Sequence, residues 1–172
     1  MAHSVELLFD PGADAAIRRE WAALADAGLP SQAQHRSPTN RPHVTLTVAE
    51  RIDPGVDAAL WEPARQLPLD CLVGAPMVFG RRSLTLVRLI VPAAGLLRLQ
   101  ESVHSICAPY LSSGPFTHTR PGRWTPHVTL ARRLAPADLA AALDVLDADG
   151  VGGTFAGLRR WDGDARIDTV IA

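Results

Sequence analysis

The pentapeptide Pro-His-Val-Thr-Leu occurs twice, at 42–46 and at 126–130. The offset is 126 − 42 = 84 residues, close to half of a 172-residue chain. Side chains alternate faces along a strand, so each copy sets one His and one Thr on one face and apolar residues on the other. His43 and Thr45 share a face against Val44 and Leu46; His127 and Thr129 share a face against Val128 and Leu130. The apolar partners would pack on helices, and the polar pairs would line a cleft.

The sequence around each copy supports this reading. Residues 4–9 alternate Val5, Leu7 and Phe9 as a strand. Ile17, Trp21 and Leu24 recur at helical spacing, with Gly28 at the C-terminal stop. A polar loop (29–42) then leads to the first motif. After it, Val56, Leu60, Ala64 and Leu67 mark a helix that Pro63 must shorten or kink. Segments 69–80 and 83–92 read as two strands joined through Gly80, Arg81 and Arg82. In the second half, Leu96, Leu99, Val103, Ile106 and Tyr110 line one side of a helix, and a loop (112–126) leads to the second motif. Pro136 opens another helix at a tolerated position, with Leu139, Leu143 and Leu146 facing inward. Segments 152–163 and 165–172 close the chain as strands. Each half thus reads helix, loop, motif strand, helix, two strands. Two copies are too few, and the period too long, for a solenoid. The pattern predicts a single α+β domain over 1–172. Its two interleaved, pseudo-symmetric lobes of antiparallel sheet with flanking helices face one another across a central cleft and carry 43–45 and 127–129.

Composition narrows the chemistry. All 17 basic residues are Arg, and Lys is absent. That excludes a Walker A loop, Schiff-base and pyridoxal chemistry, and any covalent lysyl-nucleotide intermediate. The net charge of −1 argues against a protein that holds long duplexes by neutralising phosphates. No apolar run is long enough for a membrane span, and the N-terminal stretch lacks a secretory pattern. Cys71 and Cys107 stand alone, as reduced thiols of a cytoplasmic protein would. No His spacing suits a metal, and there is no GxSxG.

What remains is metal-free phosphodiester chemistry at a symmetric pair of sites. One imidazole accepts a proton from water while the other donates one to a leaving oxygen. The Thr hydroxyls donate to non-bridging phosphoryl oxygens. His35 and Ser37 formally match His-x-Ser but lie in a Pro-containing loop, and no role is assigned to them. His3 and His104 show no pairing. His118 lies where it could reach the cleft mouth.

The two HxT motifs, in "RPHVTL" and "WTPHVTLAR", resemble those of the 2H phosphoesterase superfamily. The closest likeness is to its bacterial 2′-5′ RNA ligase and 2′,3′-cyclic phosphodiesterase group. The resemblance implies that His43 and His127 are catalytic and that Thr45 and Thr129 hold the phosphate. It further implies His127 as base and His43 as acid, with no metal and no nucleotide cofactor. Trp124 and Arg132 occupy positions where the group often shows an aromatic residue and an Arg. Arg120 and Arg123, in the same loop, are further candidates for substrate contact. On a regular strand Arg132 is out of phase with His127 and Thr129, so a bulge or the strand end must bring it to the phosphate. The leading expectation is opening of 2′,3′-cyclic phosphates of nucleotides or RNA ends to 2′-phosphates by a monomeric protein, with reversible 2′-5′ ligation as a second outcome. Alternative substrates are 2′-5′ oligonucleotides, ADP-ribose cyclic phosphate and cyclic dinucleotides. A non-catalytic module binding nucleotides or RNA ends is the alternative from another class.

Overall fold

The computed structural model describes residues 1–172. Strand β1 (His3–Phe9) leads through helix α1 (Pro11–Asp26) to β2 (His43–Ala49), and helix α2 (Val56–Ala64) leads to β3 (Leu69–Phe79). The same order then repeats: β4 (Leu84–Ile90), α3 (Ala94–Cys107), β5 (His127–Leu134), α4 (Leu139–Asp144) and β6 (Val151–Asp162). A short β7 (Ile167–Val170) is added to β6. The internal repeat is therefore βαβαβ, and the strand at 84–90 opens the second half rather than closing the first. Local pattern could not show this grouping, because it is defined by pairing between distant segments.

All pairings are antiparallel, and the strands form one sheet in the order β2-β1-β6-β3-β4-β5. Each repeat sends its third strand across to the other. β6 pairs with β1 over Phe155–Trp161, and β3 pairs with β4. The two lobes interleave through the β3–β6 pairing at the centre, where Leu69 lies opposite Phe155. The motif strands β2 and β5 occupy the two ends of this order, yet they approach within 8 Å, Cα to Cα. The sheet must therefore bend round so that its ends face one another.

Helices hold that bend from behind. Asp10 caps α1 by accepting from the Gly12 and Ala13 N–H groups at 2.8 and 3.0 Å, with Pro11 in the first turn. The Asp10 carboxyl is held below the usual carboxylate range by backbone donors, first Thr154 and then Ala13. Gly153 allows this junction, because a Cβ there would stand 2.7 Å from Ala13 Cβ. Ile17, Trp21 and Leu24 are buried as their spacing predicts. They join a core that includes Val44, Leu46, Leu99, Val103, Val128, Leu130 and Phe155. Pro63 falls in the last turn of α2, which is short. The fourth helix departs from expectation. Pro136–Asp138 is a 3-10 turn, and the α-helix covers only six residues. Ala142 is its buried residue, while Leu143 is 40% exposed and Leu139 and Leu146 pack partly. One and a half turns are too few to present a full apolar stripe.

Four Arg–carboxylate ion pairs are buried or half-buried: Arg88–Glu20, Arg159–Glu6, Arg159–Asp168 and Arg160–Asp57. Burial pushes the thiols of Cys71 and Cys107 up to about 12, which leaves them protonated and unreactive. No helix is long and apolar enough to cross a membrane.

Candidate active site

Each motif strand carries the same irregularity. On β2, Val5 faces Thr47 and Glu6 faces Thr45, so Leu46 is an extra residue. On β5, Val87 faces Thr129 and Leu86 faces Ala131, so Leu130 is extra. Both Leu side chains are fully buried. A bulge reverses the alternation beyond it. His43, Thr45 and then Val48 consequently turn to one cavity, and His127, Thr129 and then Arg132 turn to the same cavity. The bulge that the phase of Arg132 required is present. Arg133, next to it, adopts a left-handed φ of 59° where β5 shifts register again.

The two imidazoles are fixed in the same way. His43 Nδ1 lies 2.8 Å from the Arg41 carbonyl, and His127 Nδ1 lies 2.7 Å from the Thr125 carbonyl. A carbonyl can only accept, so each Nδ1 carries the hydrogen and each Nε2 is the free nitrogen. In each case the acceptor is two residues upstream, where the chain enters the strand.

Indole donors brace the two motifs. Trp124 Nε1 donates to the Thr45 carbonyl at 2.8 Å, and Trp21 Nε1 donates to the Thr129 carbonyl at 3.0 Å. Trp124 precedes the second motif but binds the first, so it ties the lobes together across the cleft. Gln100 of α3 adds a contact at 3.2 Å to the Leu46 carbonyl. These contacts satisfy carbonyls that the bulges disturb.

The cavity measures about 730 Å³. His43, Thr45, His127, Thr129, Trp124, Arg123 and Arg132 all line it; Arg120 does not. His118 lies on the wall, as its loop position allowed, and so does His35. The His35 loop, to which the sequence assigns no role, is largely exposed, and His35 with Thr39 and Asn40 also borders the cavity.

A family model described as the 2′-5′ RNA ligase superfamily matches residues 10–163. The chain belongs to this superfamily, within the 2H phosphoesterases. Comparison with curated protein sequences finds no match. Among solved structures, TT0787 of Thermus thermophilus is 18% identical with a TM-score of 0.60, covering 100% of this chain and 96% of that one. Escherichia coli LigT complexed with 3′-AMP is 15% identical with a TM-score of 0.51, covering 98% and 92%. Kluyveromyces marxianus Usb1 with uridine monophosphate is 13% identical with a TM-score of 0.55, covering 99% and 97%. The superfamily fold thus extends over the whole chain.

The symmetric scaffold is electrically unequal. Opposite Thr45 on the neighbouring strand stands Glu6; opposite Thr129 stands Val87. Glu6 is 4% exposed, and its Oε1 lies 3.6 Å from His43 Nε2. Burial works against ionisation of Glu6, yet His43, Arg159 and the Ser4 hydroxyl together hold its carboxyl below the usual range. Arg159 binds Glu6 Oε2 through Nε and Nη2, both at 2.8 Å, and binds Asp168 and the Thr39 carbonyl through Nη1 at 2.9 Å. His127 has no such partner. The Phe79 ring meets it edge-on, centroids 4.9 Å apart. Burial first, then the charges of Arg132, His43 and His118, push His127 below its ordinary 6.5, against the opposing bond to Thr125.

Sequence reading missed Glu6, Ser4, Phe79, Arg159 and Trp161, which also line the cavity. No local signal for Glu6 was available, since it alternates with Val5, Leu7 and Phe9 as a residue of a solvent-facing side would, and only the structure shows its own face buried. Both faces of β1 are buried along its whole length, and Glu6 is its one acidic residue. A carboxylate in such a strand needs a partner. His3, also on β1, projects to the face opposite Ser4 and Glu6. Its Nε2 lies 3.3 and 3.1 Å from the Asp162 and Asp164 carboxylates, a cluster that only the fold assembles.

Proposed function

We propose that the protein is a metal-independent phosphodiesterase that opens 2′,3′-cyclic phosphates of nucleotides or RNA ends to 2′-phosphates. One observation carries the reading: two imidazoles, each anchored at Nδ1 by its own strand, present Nε2 to one cavity lined by both Thr residues. His127, disposed to be neutral, takes a proton from water as the oxygen attacks phosphorus. The P–O3′ bond breaks, and His43 Nε2–H delivers a proton to the departing 3′-oxygen. Thr45 and Thr129 donate to the non-bridging oxygens, whose charge grows in the transition state. Afterwards His127 holds a proton and His43 lacks one, and exchange with solvent resets both. A 5′-hydroxyl in place of water would form a 2′-5′ link without a nucleotide cofactor, since the strained cyclic ester is the activated group. Solved relatives of this fold hold 3′-AMP, NADP+ and uridine monophosphate, which supports a nucleotide-type ligand.

The test is turnover of 2′,3′-cyclic AMP with the product identified as 2′-AMP, in the presence of EDTA and without ATP. Binding without turnover would favour the non-catalytic module, and activity restored to a chelated protein only by a divalent ion would overturn the mechanism. Comparison with 2′-5′ diadenylate separates the cyclic ester from an oligonucleotide as preferred substrate.

Two further results are expected. In a profile of kcat/KM against pH, the rate falls on the acid side as His127 is protonated. Because His127 is displaced downward, that limb should lie below 6.5, the ordinary imidazole value. An acid limb above that value would contradict the base assignment. Arg132→Gln should reduce kcat/KM about 10–100-fold, as loss of one charge-assisted bond to phosphate implies. A change under about threefold would place Arg132 outside the phosphate contacts.

A further inference from the structure

We infer that Glu6 is a positioning residue that decides which of two equivalently mounted imidazoles delivers the proton, and that it assigns this part to His43. The inference rests on phosphodiester hydrolysis in the same cavity. Strand, bulge, Nδ1 anchor and companion Thr are duplicated, so none of them can distinguish His43 from His127. The neighbouring strands differ at the position facing the Thr: Glu6, which reaches the cavity, in one lobe, and the apolar Val87 in the other.

Glu6 is also the only carboxylate on the cavity wall. The other charged or titratable groups facing the space around His43 are Arg159 on β6, His127 and Arg132 on β5, Arg123 and His118 before β5, and His35 before β2. A negative charge in such a site opposes a phosphate ligand, so its placement calls for a compensating use. Arg159 accounts for one negative charge, but it is shared between Glu6 and Asp168. The buried Glu6 and Arg159 together with the half-buried Asp168 therefore carry one excess negative charge, and the nearest group able to cancel it is a protonated His43, 3.6 Å from Glu6. At 3.6 Å this is electrostatic attraction rather than a hydrogen bond, which leaves the Nε2–H free to turn to a leaving oxygen. The Ser4 hydroxyl, 2.6 Å from Oε1, keeps the carboxylate oriented. By contrast the Arg88–Glu20 pair is self-neutralising and touches neither imidazole, so a buried Arg–Glu pair as such does not make this arrangement.

The test uses Glu6→Gln and Glu6→Asp with two substrates and one spectroscopic readout. On 2′,3′-cyclic AMP, Glu6→Gln should lose about tenfold or more near neutral pH, with the alkaline limb of the rate profile moved about one pH unit or more lower. On a 4-nitrophenyl nucleoside phosphodiester, whose leaving group needs no proton, the loss should stay within about twofold. In 15N-labelled protein without substrate, the His43 imidazole of Glu6→Gln should release its proton at lower pH than in the parent. Glu6→Asp keeps the charge but withdraws it by one methylene, and should show a same-signed, smaller change; it decides the matter if the Gln variant does not fold. An unchanged alkaline limb and an unchanged His43 titration overturn the inference. Equal losses on both substrates with a lowered melting temperature would reduce Glu6 to a structural role and overturn it likewise. If the parent protein turns over neither substrate, the hydrolase reading fails, while the imidazole titration still decides whether Glu6 holds the proton on His43.

Discussion

His127→Ala should lower kcat/KM on 2′,3′-cyclic AMP by about 10²–10⁴-fold, and His43→Ala should cost a similar factor, the range for loss of one general base or acid. The two variants should part company on a 4-nitrophenyl ester. Nitrophenolate departs without a proton, so His43→Ala should be nearly as fast as the parent protein. Attack by water still needs a base, so His127→Ala should remain severely impaired. The expected direction follows from the unequal surroundings: a buried, cationic and aromatic environment around His127, and a buried carboxylate beside His43. The opposite pattern would exchange the two roles. Parent-level rates in both variants would mean that the duplicated motif is structural. Thr45→Ala and Thr129→Ala should each cost about 10²-fold, because one donor to the phosphoryl oxygens is lost.

Arg88→Met should destabilise the fold by about 3–5 kcal/mol, the cost of leaving one partner of a buried ion pair alone. Arg88 binds Glu20 through Nε and Nη2, and it also donates to the carbonyls of Gly74 at 3.1 Å and Asp147 at 2.6 Å. Both side chains are nearly inaccessible to water. The substitution would strand a carboxylate and two carbonyls at the junction of α1, β3 and the segment before β6. Urea unfolding measures the effect, as a fall in midpoint at constant slope. The double variant Glu20→Leu/Arg88→Met removes both charges and should recover much of the loss. A single-variant cost under about 1 kcal/mol would show that the pair is not a principal tie between these elements.

The frame of the candidate site was legible because it is written in local pattern. The repeated pentapeptide places His43 with Thr45 and His127 with Thr129 through strand alternation alone, and the apolar residues between them are buried as that alternation requires. Trp124 and Arg123 lie in the segment leading into the second motif, and they arrive at the cavity with it. Arg120 does not: the turn at 120–123 directs it elsewhere. Leu143 departs from its expected inward position because the periodic stretch implies a full helix, whereas Pro136–Asp138 forms a 3-10 turn and the phase of the helix changes.

The grouping into βαβαβ repeats, the exchange of β3 and β6 between lobes, and the closure that brings β2 near β5 depend on pairings between segments far apart in the chain. No window of sequence contains them. The bulges at Leu46 and Leu130 are of the same kind. The phase of Arg132 showed that an irregularity was needed, but the register of β4 against β5 decided where it fell. The sequence by itself determined which groups the candidate site holds: two imidazoles and two hydroxyls on duplicated strands, in a protein without Lys. Only the tertiary structure decided how the two halves differ. Glu6 lies 37 residues before His43 and Arg159 lies 116 after it, and a charge acts on an imidazole through distance in space and the dielectric between them, which chain separation does not record.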